Sequence, residues 1–174
     1  MEIKTERLLL CPLGERYLDS TFAYAGDPQT ATMMVHQPHD SIDETREFLR
    51  GIDREWAKEK PEFYEFAVLL DGVHIGGVSL YLNEDGTHGE LGWIINRKYQ
   101  HKGYAFEAAR ALVDRFSQGM GIACFVAHCD GENHASRRLM EKLGMRQVYF
   151  GGGRKNRGSD EERTEYMYEL EVTE

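Results

Sequence analysis

Nine consecutive residues, Arg97-Lys98-Tyr99-Gln100-His101-Lys102-Gly103-Tyr104-Ala105, offer the clearest chemistry in this sequence. Arg97, Lys98 and Lys102 make a local positive patch, with no acid between Asn96 and Phe106, in a chain of formal net charge −9. Gly103 allows the main chain to approach a bound group with no side chain in the way. N–H groups from about His101 to Ala105 can converge on two phosphate groups. A solvated basic turn is the competing account of such a run taken alone. What favours phosphate is the position of the run between a strand and a helix, where free N–H groups and a positive dipole end point at one place.

The elements that must position this turn follow from periodicity. Upstream, Leu91 to Ile95 is an apolar, strand-like run. Downstream, Ala105, Ala108, Ala109, Leu112, Val113 and Phe116 recur on a 3.6-residue period and give a helix with one buried face. Before this unit, Arg7 to Leu13 predicts a strand and Glu15 to Ala25 a short helix. Ser41 and Glu44 form a capping box that opens a second helix, expected to run to about Lys60 before Pro61. Phe63 to Leu70 and Val73 to Asn83 flank Asp71-Gly72 as a hairpin, and Gly89 to Ile95 adds a third antiparallel strand. After it come a strand at Ile122 to Cys129 and a helix at Asn133 to Leu143 that stops at Gly144. Met145 to Phe150 and Arg163 to Val172 are the last strands, with a polar loop, Gly151 to Glu162, between them. Met33 to Gln37 reads as adaptable core filling in preference to a pocket wall. The strand, helix, strand crossover from Leu91 to Cys129 implies local parallel pairing in a sheet that is otherwise antiparallel.

The bulk properties narrow the class. A chain of 174 residues is expected to be one domain, 1–174, with a sizeable core. Its acidic balance argues against a nucleic-acid partner held by a broad basic face. No apolar run reaches the length that spans a bilayer, so no membrane partner is expected. MEIKTERLLL carries early acids and no signal-peptide pattern, which leaves the cytoplasm as the expected compartment. Cys11, Cys124 and Cys129 are odd in number and unpaired in spacing, so buried free thiols are expected. The histidines lack a ligand spacing, and no metal is expected. Neither a nucleotide-binding P-loop nor a serine-hydrolase elbow is present.

The element order, the Gln100-x-x-Gly103-x-Ala105 turn, and Asn133-x-x-Ser136 followed by Leu143-Gly144 together resemble the GNAT superfamily of acyl-CoA-dependent N-acetyltransferases. With the N-terminal RLLLCPL, the resemblance covers nearly the whole chain and is nearest to the RimJ/RimL-type branch. It implies an α+β fold with a mixed, mostly antiparallel sheet of six to seven strands and helices on both faces. It also implies acetyl-CoA as cosubstrate, with the pyrophosphate at Arg97, Gln100, His101, Lys102, Gly103, Tyr104 and Ala105. By the same resemblance, the Leu91 to Ile95 strand carries a bulge and splays from the Ile122 to Cys129 strand. The pantetheine arm enters that gap, meets backbone groups near Ile94 and Ile95, and lies opposite Asn133 and Ser136. Helix N-capping is the structural alternative for Asn133, and one residue can serve both purposes.

Acetyl transfer to nitrogen needs a base for the ammonium proton and relief for the departing thiolate. Glu90 stands where RimJ/RimL-like enzymes have a carboxylate proposed as base; an exposed strand-end acid is the competing account. Many GNAT enzymes have a tyrosine seven residues after the asparagine to protonate the thiolate. Here that position is Met140, which leaves Ser136 or water. A thiol leaving with pKa ~8.5 needs only about 1–2 kcal/mol of help near neutral pH, so the substitution is compatible with activity. The expected reaction is direct attack by a primary amine, from a protein N-terminus or a small molecule, in a ternary complex. A non-catalytic acyl-CoA-binding sensor or scaffold is the alternative that Met140 motivates. Asp40 to Lys60, Met33 to Gln37 and Gly151 to Glu162 would make the acceptor side, where Asp160-Glu161-Glu162 would favour a cation unless it is simply a solvated loop. The sequence leaves the choice between monomer and homodimer open.

Overall fold

The structure, a computed structural model, describes residues 1–172. The strands are β1 (Ile3–Lys4), β2 (Leu8–Pro12), β3 (Phe63–Leu70), β4 (Val73–Leu82), β5 (His88–Ile95), β6 (Cys124–Asp130), β7 (Arg146–Lys155) and β8 (Glu162–Glu171). The helices are α1 (Leu18–Ala25), α2 (Ile42–Trp56), α3 (Tyr104–Met120) and α4 (His134–Lys142). All eight strands form one sheet in the order β1-β2-β3-β4-β5-β6-β8-β7. Only β5 and β6 are parallel, as the crossover through α3 requires. The fold is thus the expected α+β type with one more strand than the upper expectation, because Ile3 and Lys4 pair with Leu10 and Leu9 at the edge.

Alternate residues of the same strands feed two cores, which puts helices on both faces. Leu10, Phe66, Val78, Leu80 and Leu91 pack with Ala108, Ala109, Leu112, Val113 and Phe116 of α3 and with Met140 and Leu143 at the end of α4. Cys11, Leu13 and Ala67 point the other way, onto Leu49 and Ile52 of α2. Phe116 lies 4.8 Å from the Tyr64 ring and 6.3 Å from the Phe66 ring. Truncating a buried phenylalanine of this kind costs about 3–5 kcal/mol. Ser41 caps α2 by accepting from Glu44 N, while the Glu44 carboxylate reaches back to Asp40 N at 2.7 Å. All three cysteines are buried and free. Among the described residues, no helix is long and apolar enough to cross a membrane.

Several expectations need correction. Helix α2 ends at Trp56, short of Lys60, because Glu55 accepts from Glu62 N at 2.5 Å and turns the chain ahead of Pro61. The stretch expected as a loop from Gly151 is the second half of β7. Lys155 pairs with Glu162 and Arg154 with Arg163 across a register shift, so only residues 156–161 join the strands. Glycine-rich segments carry little strand propensity of their own, and here the pairing comes from tertiary contacts. The expected bulge in β5 is absent: its register against β4 runs unbroken from Leu82↔Gly89 to Gly76↔Ile95. The splay has another origin. Strand β5 pairs with β6 only from His88↔Cys124 to Glu90↔Val126, after which β5 follows β4 and β6 follows β8.

Candidate active site

The end expected to bind phosphate is built from the loop after β5. Asn96 Oδ1 accepts from Lys98 N at 3.1 Å and starts a 3-10 turn over Arg97–Tyr99. Gln100 then donates its side-chain amide to Ile95 O at 2.9 Å, tying the loop to the strand end. His101 and Gly103 take left-handed conformations, with φ 62° and 81°, and the first helical bond of α3 runs from Glu107 N to Gly103 O. Among the described residues, no N–H from His101 to Phe106 has a hydrogen-bond partner. Six successive free donors at a helix N-terminus fit a diphosphate.

Two arginines act differently from what charge alone suggests. Arg97 turns back to Gln29 and lies 3.9 Å from Asp27, so part of its charge is spent on the loop after α1. Arg7, which the sequence did not mark, braces the loop from behind. Its guanidinium donates to Lys102 O at 3.0 Å, lies 4.6 Å over the Tyr104 ring and pairs with Glu107 at 2.7 Å. Burial pushes the Glu107 carboxyl up, but hydrogen bonds from Thr5 and Arg7 hold it below the ordinary value. Lys98, His101 and Lys102 remain exposed.

Where β5 and β6 part lies a cavity of about 590 Å³, lined by residues of both strands. Ile94 lines the cavity, while the Ile95 side chain is buried in the core and its carbonyl is held by Gln100. Asn133 and Ser136 line it from the start of α4, where Asn133 Oδ1 accepts from Ser136 N at 3.0 Å as a true N-cap. Trp93, on β5, donates its indole N–H to Ser136 Oγ at 3.1 Å. Since Ser136 Oγ accepts there, its own proton remains free to donate. Met140 is fully buried in the core and is not among the cavity-lining residues.

The far side of the cavity is decided by register. Cross-strand partners share a sheet face, so Phe63, Tyr81 and Glu90 form one row and Glu65, Ser79 and Gly92 the next. Glu90 is exposed at this face, with no hydrogen-bond or ion-pair partner among the described residues. Glu65 is different. Burial pushes its carboxyl up to about 7, although the Tyr81 hydroxyl donates to it at 2.6 Å. Burial, and then the neighbouring Glu65 charge, push Tyr81 far above its ordinary range. Glu65 was missed in the sequence, where its one signal is an acid between Tyr64 and Phe66 in an apolar strand.

His128, Glu165 and Arg154 complete the wall. Glu165 lies 3.2 Å from His128 Nδ1 and 2.6 Å from Arg154, whose side chain is almost fully buried. Met33 to Gln37, expected as core filling, also line the cavity, because Arg154 and Arg157 hold this segment to the β7–β8 turn. Cys129 lines it too, but burial pushes its thiol up to about 11, which leaves it a poor nucleophile.

Comparison with known proteins agrees with this architecture. The acetyltransferase (GNAT) domain profile matches residues 7–146. The chain is 30% identical over 153 residues to the N-acetyltransferase YnaD of Bacillus subtilis strain 168, covering 86% of this chain and 85% of that protein. A GNAT-family acetyltransferase from Bacillus anthracis superposes with a TM-score of 0.84 at 27% identity, over 98% of both chains. RimL, the ribosomal L7/L12 α-N-protein acetyltransferase solved with coenzyme A, shares the fold with a TM-score of 0.83 at 15% identity, over 99% of this chain and 98% of that one. The profile spans most of the chain and YnaD matches along nearly all of it: this protein belongs to the GNAT family of acetyltransferases.

Proposed function

We propose that the protein transfers the acetyl group of acetyl-CoA to a primary amine by direct attack in a ternary complex. The observation that carries this reading is the combination of three parts. Free N–H groups at residues 101–106 follow the end of β5, β5 and β6 part after Glu90, and the cavity lined by both strands there holds the Glu65 carboxyl, which burial pushes up to about 7. When bound, acetyl-CoA supplies the activated acyl group. The loop and the first turn of α3 hold its diphosphate, and the unpaired edge of β5 beyond Glu90 offers main-chain groups to the arm.

Glu65 takes the proton that the attacking ammonium must lose. An amine with pKa ~10.4 is about 4–5 kcal/mol short of its free-base form at pH 7, and a carboxylate of matched pKa in the same pocket is a competent acceptor. Tyr81 fixes its orientation. Glu90 holds charge at the pocket mouth, and Ser136, oriented by Trp93 and Asn133, donates to the leaving sulfur. Met140 is a core residue, so its lack of a proton is no argument for a non-catalytic module. The test is thiol release from acetyl-CoA against a panel of amines, with coenzyme A affinity measured by calorimetry. Turnover with at least one amine is expected; tight coenzyme A binding without turnover of any amine would favour the sensor or scaffold reading.

A further inference from the structure

One hydroxyl on the cavity face of the sheet has no partner and adds nothing to packing that alanine would not. On β4, Gly77, Ser79 and Tyr81 line the cavity, while Val78 and Leu80 between them are buried in the core against α3. Ser79 is only 7% exposed and sits mid-sheet, with β3 on one side and β5 on the other. Among the described residues its hydroxyl has no hydrogen-bond partner, and it opens on the cavity. Burying a hydroxyl without a protein partner costs stability, and alanine would fill the same place without that cost.

Its neighbours give the hydroxyl a direction. The register sets Ser79 opposite Glu65 of β3 and opposite Gly92 of β5, so the three form one row across the sheet. Opposed residues have Cβ atoms about 4.5–5.5 Å apart, which puts the Ser79 hydroxyl within one water of the Glu65 carboxyl. Tyr81 donates to Glu65 Oε1 at 2.6 Å and leaves Oε2 without a donor among the described residues. On the other side, a Cβ at Gly92 would stand 2.5 Å from Ser79 Oγ, so the hydroxyl leans over β5 into the space a side chain there would fill. Strand β5 has parted from β6 two residues earlier, after Glu90. Glu65 itself is two strand spacings from β5, roughly 10 Å between Cα atoms, a span its side chain covers only in part. Ser79 is the polar side chain between them.

We infer that Ser79 passes the acceptor's proton to Glu65: its Oγ accepts from the ammonium N–H beside β5, and its own O–H donates through one water to Glu65 Oε2. This rests on the acetyl-transfer reading with Glu65 as the base. In the step, the N–H bond breaks and its electron pair stays on nitrogen. The amine's proton moves to Ser79 Oγ, the hydroxyl's proton moves to the water, and a proton of the water moves to Oε2. Serine and water end as they began, and Glu65 ends as the neutral acid. Gly92 keeps the path open at the amine's end, and Tyr81 keeps Oε2 free at the other.

The experiment follows thiol release from acetyl-CoA with 1-aminobutane, glycinamide and a serine-initiated tetrapeptide as acceptors. It compares the wild type with Ser79→Ala, Ser79→Thr, Glu65→Gln and the Ser79→Ala, Glu65→Gln double variant. With the fastest of the three acceptors, Ser79→Ala should lower kcat at least about tenfold while KM for acetyl-CoA holds. Its Tm should hold or rise, since only an unpartnered hydroxyl is lost. The ascending limb of its pH profile should stay near pH 7, because Glu65 and Tyr81 are untouched. Ser79→Thr keeps the hydroxyl and should recover most of the loss. The double variant should be no more than about twofold slower than Glu65→Gln, as expected of two groups in one path. A wild-type kcat in Ser79→Ala, a Ser79→Thr as slow as Ser79→Ala, or losses that multiply in the double variant overturn the relay and leave acetyl transfer standing. A wild type that turns over none of the three acceptors overturns acetyl transfer, and the relay with it.

Discussion

Replacing Glu65 with glutamine separates the catalytic assignment from the structural one. The carboxyl's ordinary value is 4.5, and burial moves it to about 7 in the fold. Between those values the unfolded chain has released the proton while the folded chain keeps it. The native state therefore binds more protons, and stability falls as pH rises from about 4.5 to about 7, then levels. Allowing for screening by water in the pocket, the full loss is about 2–3 kcal/mol. Glutamine never ionises and can still accept from Tyr81, so Glu65→Gln should be more stable than the wild type by that amount at pH 8, and by under about 1 kcal/mol at pH 5. In paired thermal melts the Tm advantage of the variant should grow by about 5–10 °C between the two pH values. The same variant should lose about 10²- to 10³-fold in kcat/KM, and with it the ascending limb centred near pH 7. A Tm difference that is constant with pH would refute the raised carboxyl. If instead the limb persists in Glu65→Gln, the base lies elsewhere, and Glu90 is the next group to replace.

Three further substitutions probe the other parts. Gly103 sits at φ 81°, where a β-branched side chain is strained, so Gly103→Val should weaken coenzyme A binding at least about tenfold by calorimetry and lower stability by about 1–3 kcal/mol. Ser136→Ala removes the proton offered to the leaving sulfur and should reduce kcat by about tenfold, with coenzyme A affinity changing far less. An unchanged kcat in single-turnover measurements would remove Ser136 from the chemistry. Asp130 is 1% exposed and accepts from Arg163 at 3.0 Å and Asn156 at 2.5 Å, while Arg163 keeps Glu132 as a second partner. Asp130→Ala should therefore lower stability by about 3 kcal/mol in denaturant titration, the low end for breaking a buried pair.

The parts of the molecule that were legible in the sequence are those encoded locally. The α3 stripe, the Ser41 cap, the Asp71-Gly72 hairpin and the Gly103 turn each depend on neighbours a few residues away, and each is found where its pattern places it. The turn from Arg97 to Ala105 could be placed between β5 and α3 for the same reason. The acceptor side was mostly hidden because non-local contacts make it. Glu65 becomes a raised carboxyl only when the sheet face around it is covered, and its partner Tyr81 arrives from the next strand. Met33 to Gln37 becomes a wall because Arg154 and Arg157, more than a hundred residues away, hold it there. The glycines at 151–153 read as loop because their strand comes from β8. Arg7 escaped notice for a similar reason: its partners, Lys102 O and Glu107, lie far along the chain.

Both ends of the site depend on one register. At the pocket end, β5 sets Glu90 beside Tyr81 and Gly92 beside Ser79, the neighbour of Glu65. At the other end, its last carbonyl, from Ile95, anchors Gln100 and so fixes where the free N–H groups of the loop point. A slip of one residue against β4 would turn the Glu90 side chain toward the α3 core and the Leu91 side chain to the opposite face. The same slip would move the loop anchor by about 3.4 Å. Two features oppose it. Leu91 and Ile95 are buried against α3, and a Cβ at Gly76, opposite Ile95, would meet Ile94 O at 2.2 Å, so that in this register only glycine fits. The apolar side of β5 thus fixes the distance between the free N–H groups of the loop and the carboxylates of the cavity, through packing that touches neither.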